Sequence, residues 1–246
     1  MTASLGQRPL FSVWRKEVRS AFNSPVAVGS ILFFLLFTGI WFLWVSQFLA
    51  QQTASLRGYF ATFPIAFTIL IPAITMRTWA EERKLGSQEL LLTLPVKTGT
   101  LVAGKFLGAW TIVLTMIVLT LPMTILASGL GTFEIGEIVG EYLGIVLLSG
   151  AATALGVFLS GLTTNTISAF LLAVAGLLVF AVSGSLVAVI GLPAVVVDTV
   201  RFFSLDGRYA SFQRGILDTK DALYFFWFAG LFLYLNTKVL VLRKWR

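Results

Sequence analysis

Glu134, Glu137 and Glu141 stand at i, i+3 and i+7, so a helix would carry all three on one face. Acids placed in hydrocarbon ordinarily mark an ion or proton path, because burying charge is costly. These three fall at the predicted outer boundary of a span, where the plainer reading is a first turn that water reaches. A second candidate is Gly99-Thr-Leu-Val-Ala-Gly104-Lys105, which matches the first seven positions of a phosphate-binding loop. The eighth position must be Ser or Thr to hold magnesium, and here it is Phe106. Such a loop also needs a preceding strand and a soluble α/β core, whereas Lys105 leads into a long apolar run. The chain is therefore not expected to hydrolyse ATP itself. It contains no histidine and no cysteine, which removes His-ligated metals, thiolate nucleophiles, Ser-His triads and disulfides. The remaining polar concentration is residues 81–96, EERKLGSQELLLTLPV, set between two apolar runs.

The elements that must position these residues follow from composition. The 246 residues are 57% hydrophobic and 12% charged, with a mean hydropathy of +0.91. A soluble domain needs about 25% charged residues to coat its surface, so the solvent of this chain is a bilayer. Uncharged runs predict six transmembrane helices: about 25–47, 58–76, 106–133 with an earlier start, two within 142–200, and about 222–242. The polar cluster Thr163-Thr164-Asn165-Thr166 divides the long run, since one crossing takes about 20 residues. Lys238 lies near enough to the last span's end to snorkel. Basic residues give the orientation. Thirteen of the eighteen fall on the N-terminus, the 77–105 loop and the C-terminus, leaving Arg57, Arg201, Arg208, Arg214 and Lys220 on the other side. Both termini are thus predicted to be cytoplasmic, and the net charge of +7 reads as an orientation signal rather than a nucleic-acid surface. No cleavable signal peptide is expected, because residues 1–24 carry four basic residues and no apolar core.

Residues 8–22, RPLFSVWRKEVRSAF, place Leu10, Val13, Trp14, Val18, Ala21 and Phe22 at near-helical spacing, with Arg15, Lys16 and Arg19 opposite. A basic amphipathic helix with a tryptophan fits the headgroup plane, as a topology anchor or as a mechanical part. Asn23-Ser24-Pro25 ends it. Along the fourth span Gly136, Gly140, Gly144, Ala152, Gly156 and Ser160 recur at multiples of four, a spacing that lets helix backbones approach closely. The outer loop, 191–221, mixes aromatics with both charge signs, predicts short helices on the outer surface, and carries a turn signal at Asp206-Gly207. In 81–96 itself, Gly86 breaks a helix, Ser87 is placed to cap another, and Glu89 falls in its first turn. Leu90, Leu91, Leu92 and Leu94 then cover a short helix stopped before Pro95. Such a segment either lies in the interface or docks into a groove on a soluble partner.

Residues 76–108, MRTWAEERKLGSQELLLTLPVKTGTLVAGKFLG, resemble the signature region of ABC-2 type permeases, the membrane subunits of one class of ATP-binding-cassette exporter. The similarity is greatest to the gliding-motility and nitrous-oxide-reductase-maturation types, to which 202–226, FFSLDGRYASFQRGILDTKDALYFF, is also similar. The resemblance implies one all-α permease domain over 1–246. Its parts would be a cytoplasmic interfacial helix in 1–24, a six-span region over 25–242, a coupling loop over 77–100 and the outer loop. It makes 8–22, with Trp14, Arg15, Lys16 and Arg19, the elbow helix. It makes the loop between spans two and three the coupling helix, with Glu81, Glu82, Arg83, Lys84, Gln88, Glu89, Leu91 and Leu92 at or near an ATPase subunit. The implied working unit is two permeases, identical or homologous, with two ATPase subunits that carry ATP and magnesium. This chain itself would bind no cofactor. The implied location is the bacterial cytoplasmic membrane, among its lipids. Two other functions remain open: transmission of ATP-driven force to a periplasmic or outer partner, and ion-driven secondary transport through Glu134, Glu137 and Glu141.

Overall fold

A computed structural model describes residues 7–45, 56–87, 96–129 and 134–190, positions 195 and 200, and residues 203–244. All regular structure among them is helical. The elements are α1 (Gln7–Phe22), α2 (Pro25–Ile40, running into a wider π turn at Trp41–Val45), α3 (Arg57–Phe60), α4 (Thr62–Thr75) and α5 (Arg77–Lys84). They continue as α6 (Thr98–Leu119), α7 (Leu121–Ser128), α8 (Ile135–Ser160), α9 (Thr166–Ile190), α10 (Leu205–Gln213) and α11 (Thr219–Lys244).

Among the described residues, five helical stretches are long and apolar enough to cross a membrane: Pro25–Trp44, Arg57–Lys84, Thr98–Ala127, Ile135–Ser160 and Thr219–Leu242. The predicted fifth crossing corresponds to α9, within which Thr166–Ala181 forms a shorter apolar stretch. The split between α8 and α9 falls at Gly161–Asn165, on the polar cluster, where the Asn165 side chain accepts from the Ile167 amide at 2.9 Å. The join of α1 to α2 is also local chemistry. Ser24 accepts from the Val26 amide at 3.3 Å, and Pro25 occupies the first helical position, where its missing N–H costs nothing.

Helix α8 is the centre of the bundle, packed against α4, α6, α9, α10 and α11. Its small residues make that crowding possible. A Cβ on Gly144 would sit 2.5 Å from the Phe212 Cβ, and one on Gly156 would sit 2.4 Å from the Thr75 Oγ1. A Cβ on Gly140 would lie 3.3–3.4 Å from the backbone of Gly215 and Phe212. The predicted ladder thus serves α10 near one end and α4 near the other. Gly136 departs from it: among the described residues nothing lies within 4 Å of its Cβ direction.

The outer loop differs from its reading in sequence. Asp206 and Gly207 lie in the first turn of α10 rather than in a turn between elements. Ser204 decides this, because its hydroxyl accepts from the Gly207 amide at 3.3 Å and so caps the helix start. Helix α10 does not lie free on the surface either: Leu205, Tyr209 and Phe212 are buried in the same core as α4, α8 and α11.

Candidate functional site

The end of the bundle that holds the end of α5 and the start of α6 is organised around Lys105. This residue follows Gly104 on α6, and Gly104 and Gly108 form a small-xxx-small pair that α1 fills. A Cβ on Gly104 would lie 2.6 Å from the Val13 Cγ1, and one on Gly108 would lie 2.5 Å from the Glu17 Cβ. One turn further along α6, Thr111 accepts from the Trp14 indole N–H at 3.0 Å. The stripe Val13, Trp14 and Glu17 therefore seats α1 along α6, while Arg15, Lys16 and Arg19 stay exposed.

That seating delivers Glu17 to a buried cation. The Lys105 ammonium, 3% exposed, donates to Glu17 Oε1 and to the Thr78 carbonyl, each at 3.0 Å, and forms an ion pair with Glu82 Oε1 at 2.7 Å. It also stands 4.9 Å from the centre of the Trp79 ring, a cation–π position. One side chain thus ties α1, α5 and α6 together. The Glu82 Oε2 is buried and has no hydrogen-bond partner among the described residues.

Helix α5 is held on its other side by the end of α8. Pro72 leaves α4 only three further residues, and α5 follows after Met76. The α5 start lacks a capping side chain of its own, and Ser160 from α8 supplies one. Its hydroxyl donates to the Met76 carbonyl at 3.1 Å and accepts from the Trp79 and Ala80 amides at 3.2 and 3.4 Å. In the reverse direction, Arg83 donates to the carbonyls of Gly161 and Thr163, just past the end of α8, at 2.5 and 3.0 Å. A cation there also suits the negative end of the helix dipole. Trp79, fully buried, packs with Leu101, Val102 and Ala109 of α6, Val157 of α8 and Leu240 of α11. Gly86 ends the segment with a φ of +70°, a left-handed conformation that glycine adopts without penalty.

Of the predicted contact residues, Glu81 and Lys84 are exposed on α5, whereas Glu82 and Arg83 turn inward to Lys105 and to the end of α8. Gln88, Glu89, Leu91 and Leu92 lie outside the described residues, as does the short helix expected there. The phosphate-loop look-alike is helix throughout: Gly99 to Lys105 all belong to α6 and form no glycine-rich loop. Two members of this site, Glu17 and Lys105, carried no such signal in sequence. Their partners lie 88 and 23 positions apart along the chain, and only the glycine pair hinted at close packing.

At the opposite end of α8, about 35 Å away by helix rise, Arg57 pairs with Glu137. Glu134 is exposed, as expected. Glu141 corrects the expectation of a solvated turn. It is fully buried, and neither carboxylate oxygen has a hydrogen-bond partner among the described residues. The reason is α10, which covers this face of α8 through Phe212 and Tyr209 at Gly144, one turn from Glu141.

Residues 45–205, about two thirds of the chain, match the family described as ABC-2 family transporter protein, and the chain belongs to that family. No curated protein matches it. With the apolar helices described above, the family makes the chain a multi-pass membrane protein and the permease component of an ABC transporter, a class that works with an ATPase partner. The match begins after α1, so the Glu17 arm of the Lys105 site lies outside it.

Proposed function

We propose that this chain is the permease subunit of an ATP-binding-cassette exporter of the cytoplasmic membrane, and that the Lys105 site transmits motion from the ATPase into the spans. The observation that carries this reading is the three-way bonding of one buried ammonium to Glu17, Glu82 and Thr78. In this reading the polypeptide crosses six times with both termini cytoplasmic, α1 is the elbow helix, and residues 77–100 are the coupling loop. Two ATPase subunits, which bind the ATP and magnesium, serve a pair of permeases. The gliding-motility and nitrous-oxide-maturation types remain the favoured subgroup on the resemblance of 76–108 and 202–226.

The ATPase engages the exposed side of α5, where Glu81 and Lys84 stand. Closure of the ATPase pair on ATP displaces α5. Because α5 is bonded to α1 and α6 through Lys105, and to α8 through Ser160 and Arg83, it moves those elements with it. The Trp79 contacts extend the displacement to α11. Coupling of this kind requires that the docked segment differ in energy between two states, since equal binding to both would shift nothing. Glu82→Lys tests the proposal by setting a second cation against Lys105. Membrane insertion should persist while the ATPase partner's stimulation disappears, and normal co-purification with full ATPase stimulation would refute it.

One observation favours a second reading, ion-driven transport: the buried, unpartnered Glu141. It is weaker, because Glu137 is already paired with Arg57 and Glu134 is exposed, so the three acids do not form a continuous path. Transmission of force to an outer partner would use the α10 region and shares the first mechanism up to that point.

A further inference from the structure

A cavity of about 390 Å³ opens beside Lys105, between α1, the start of α2, α4–α5 and α6. Its charges are divided in space. At the inner wall, the carboxylates of Glu17 and Glu82 share the single ammonium of Lys105, leaving a formal charge of −1. The Glu82 Oε2 there is buried and accepts no hydrogen bond among the described residues. An acceptor without a donor in such a place is costly, so a donor is the group this wall lacks. The exposed charged lining residues are Lys16, Arg77 and Glu81, a surplus of one positive charge; Lys16 and Arg77 make no ion pair among the described residues, and Arg77 reaches only the Ser24 hydroxyl, at 3.3 Å. Ala27, Ile74 and Ile112, from three different spans, supply an apolar wall.

A purely anionic ligand would meet the surplus carboxylate, and a purely cationic one would meet Lys16 and Arg77. A molecule with both charges satisfies both regions. The apolar wall and the position of the cavity, between an amphipathic helix and the ends of spans, indicate that the molecule comes from the bilayer. The volume lies at the low end of the range of small-molecule sites, about 300–1,000 Å³, which fits a headgroup better than a whole lipid. We propose that this cavity holds the headgroup of a phospholipid bearing a phosphate and a primary ammonium. The phosphate lies on Lys16 and Arg77, and the Glu82 carboxylate, whose Oε2 is closed off from the cavity in this structure, turns to accept from the ammonium. The glycerol end rests on Ala27, Ile74 and Ile112. A quaternary ammonium has the same charge and no N–H, so this site separates the two headgroups by a hydrogen bond rather than by charge.

The full chain, purified with lipid, is the sample for native mass spectrometry in the presence of phosphatidylethanolamine, phosphatidylcholine or phosphatidylglycerol of identical acyl chains. Phosphatidylethanolamine should be retained about tenfold or more over both others, the scale of one hydrogen bond to a charged group. Lys16→Gln with Arg77→Gln should lower the retention of phosphatidylethanolamine and phosphatidylcholine alike, since both carry the phosphate. Both side chains face solvent, and the wild-type preference is itself decisive without any variant. Free phosphoethanolamine should not displace the lipid at equal concentration. Equal retention of the three lipids overturns the proposal, as does retention indifferent to the double substitution. Displacement by free phosphoethanolamine would assign the cavity to a soluble zwitterion and overturn the lipid source.

Discussion

Replacing Lys105 by methionine keeps the length of the side chain and removes the one cation that joins three helices. Glu17 and Glu82 would then face each other with no counter-charge in a site where their side chains are 20% and 17% exposed. Breaking a buried pair by deleting one partner costs about 3–5 kcal/mol, and the partial exposure here places the effect near the lower figure. Because α1 reaches this site through Glu17, the loss should appear as local opening of α1 rather than as uniform unfolding. At about 1.4 kcal/mol per factor of ten, 3 kcal/mol raises the open population about a hundredfold. Amide hydrogen exchange of α1 in lipid nanodiscs measures this, with α8 as the internal reference. The triple variant Lys105→Met, Glu17→Gln, Glu82→Gln should regain most of the protection, since replacing a whole buried ionic group by neutral groups is often close to neutral. ATPase stimulation should be lost in the single variant. Wild-type exchange of α1 in Lys105→Met would refute the reasoning, and so would a triple variant no better protected than the single one.

Trp79→Ala should cost about 3–5 kcal/mol of stability, read by unfolding in detergent, since the indole is fully buried among three other helices. A loss under 1 kcal/mol would show that α5 does not depend on that contact. Gly144→Leu should destabilise by about 1–3 kcal/mol or more through collision with Phe212, whereas Gly136→Leu should change stability by no more than about 0.5 kcal/mol. Equal effects would mean that α10 does not pack in the groove at Gly140 and Gly144. Glu141→Gln, nearly isosteric, should leave ATP-driven transport in reconstituted vesicles unchanged. Abolished transport with intact folding would move the ion-driven reading ahead.

The helices were legible because the forces that create them are local. An apolar run longer than 20 residues needs no partner to declare that it belongs in hydrocarbon. The polar break at 163–166, the Ser24-Pro25 cap and the terminating Gly86 act over a few residues. The amphipathic stripe of 8–22 likewise announced a helix with one face to bury. The resemblance of 76–108 pointed to a permease, and the family match over 45–205 agrees.

What lies between helices was not legible. Gly99 to Lys105 drew notice as a phosphate loop, yet its glycines are the groove that receives Val13 and Glu17. Lys105 counted toward orientation and became the centre of a bonded cluster. The acids at 134–141 shared one face in sequence, but the docking of α10 buried one of them, left one in water and allowed the third to meet Arg57. The sequence by itself determined the apolar helices and their breaks, because hydrophobic length and capping are properties of neighbouring residues. Only the tertiary structure decided which charges are paired, buried or exposed. That depends on residues up to 88 positions apart brought within 3 Å, and no local pattern records it.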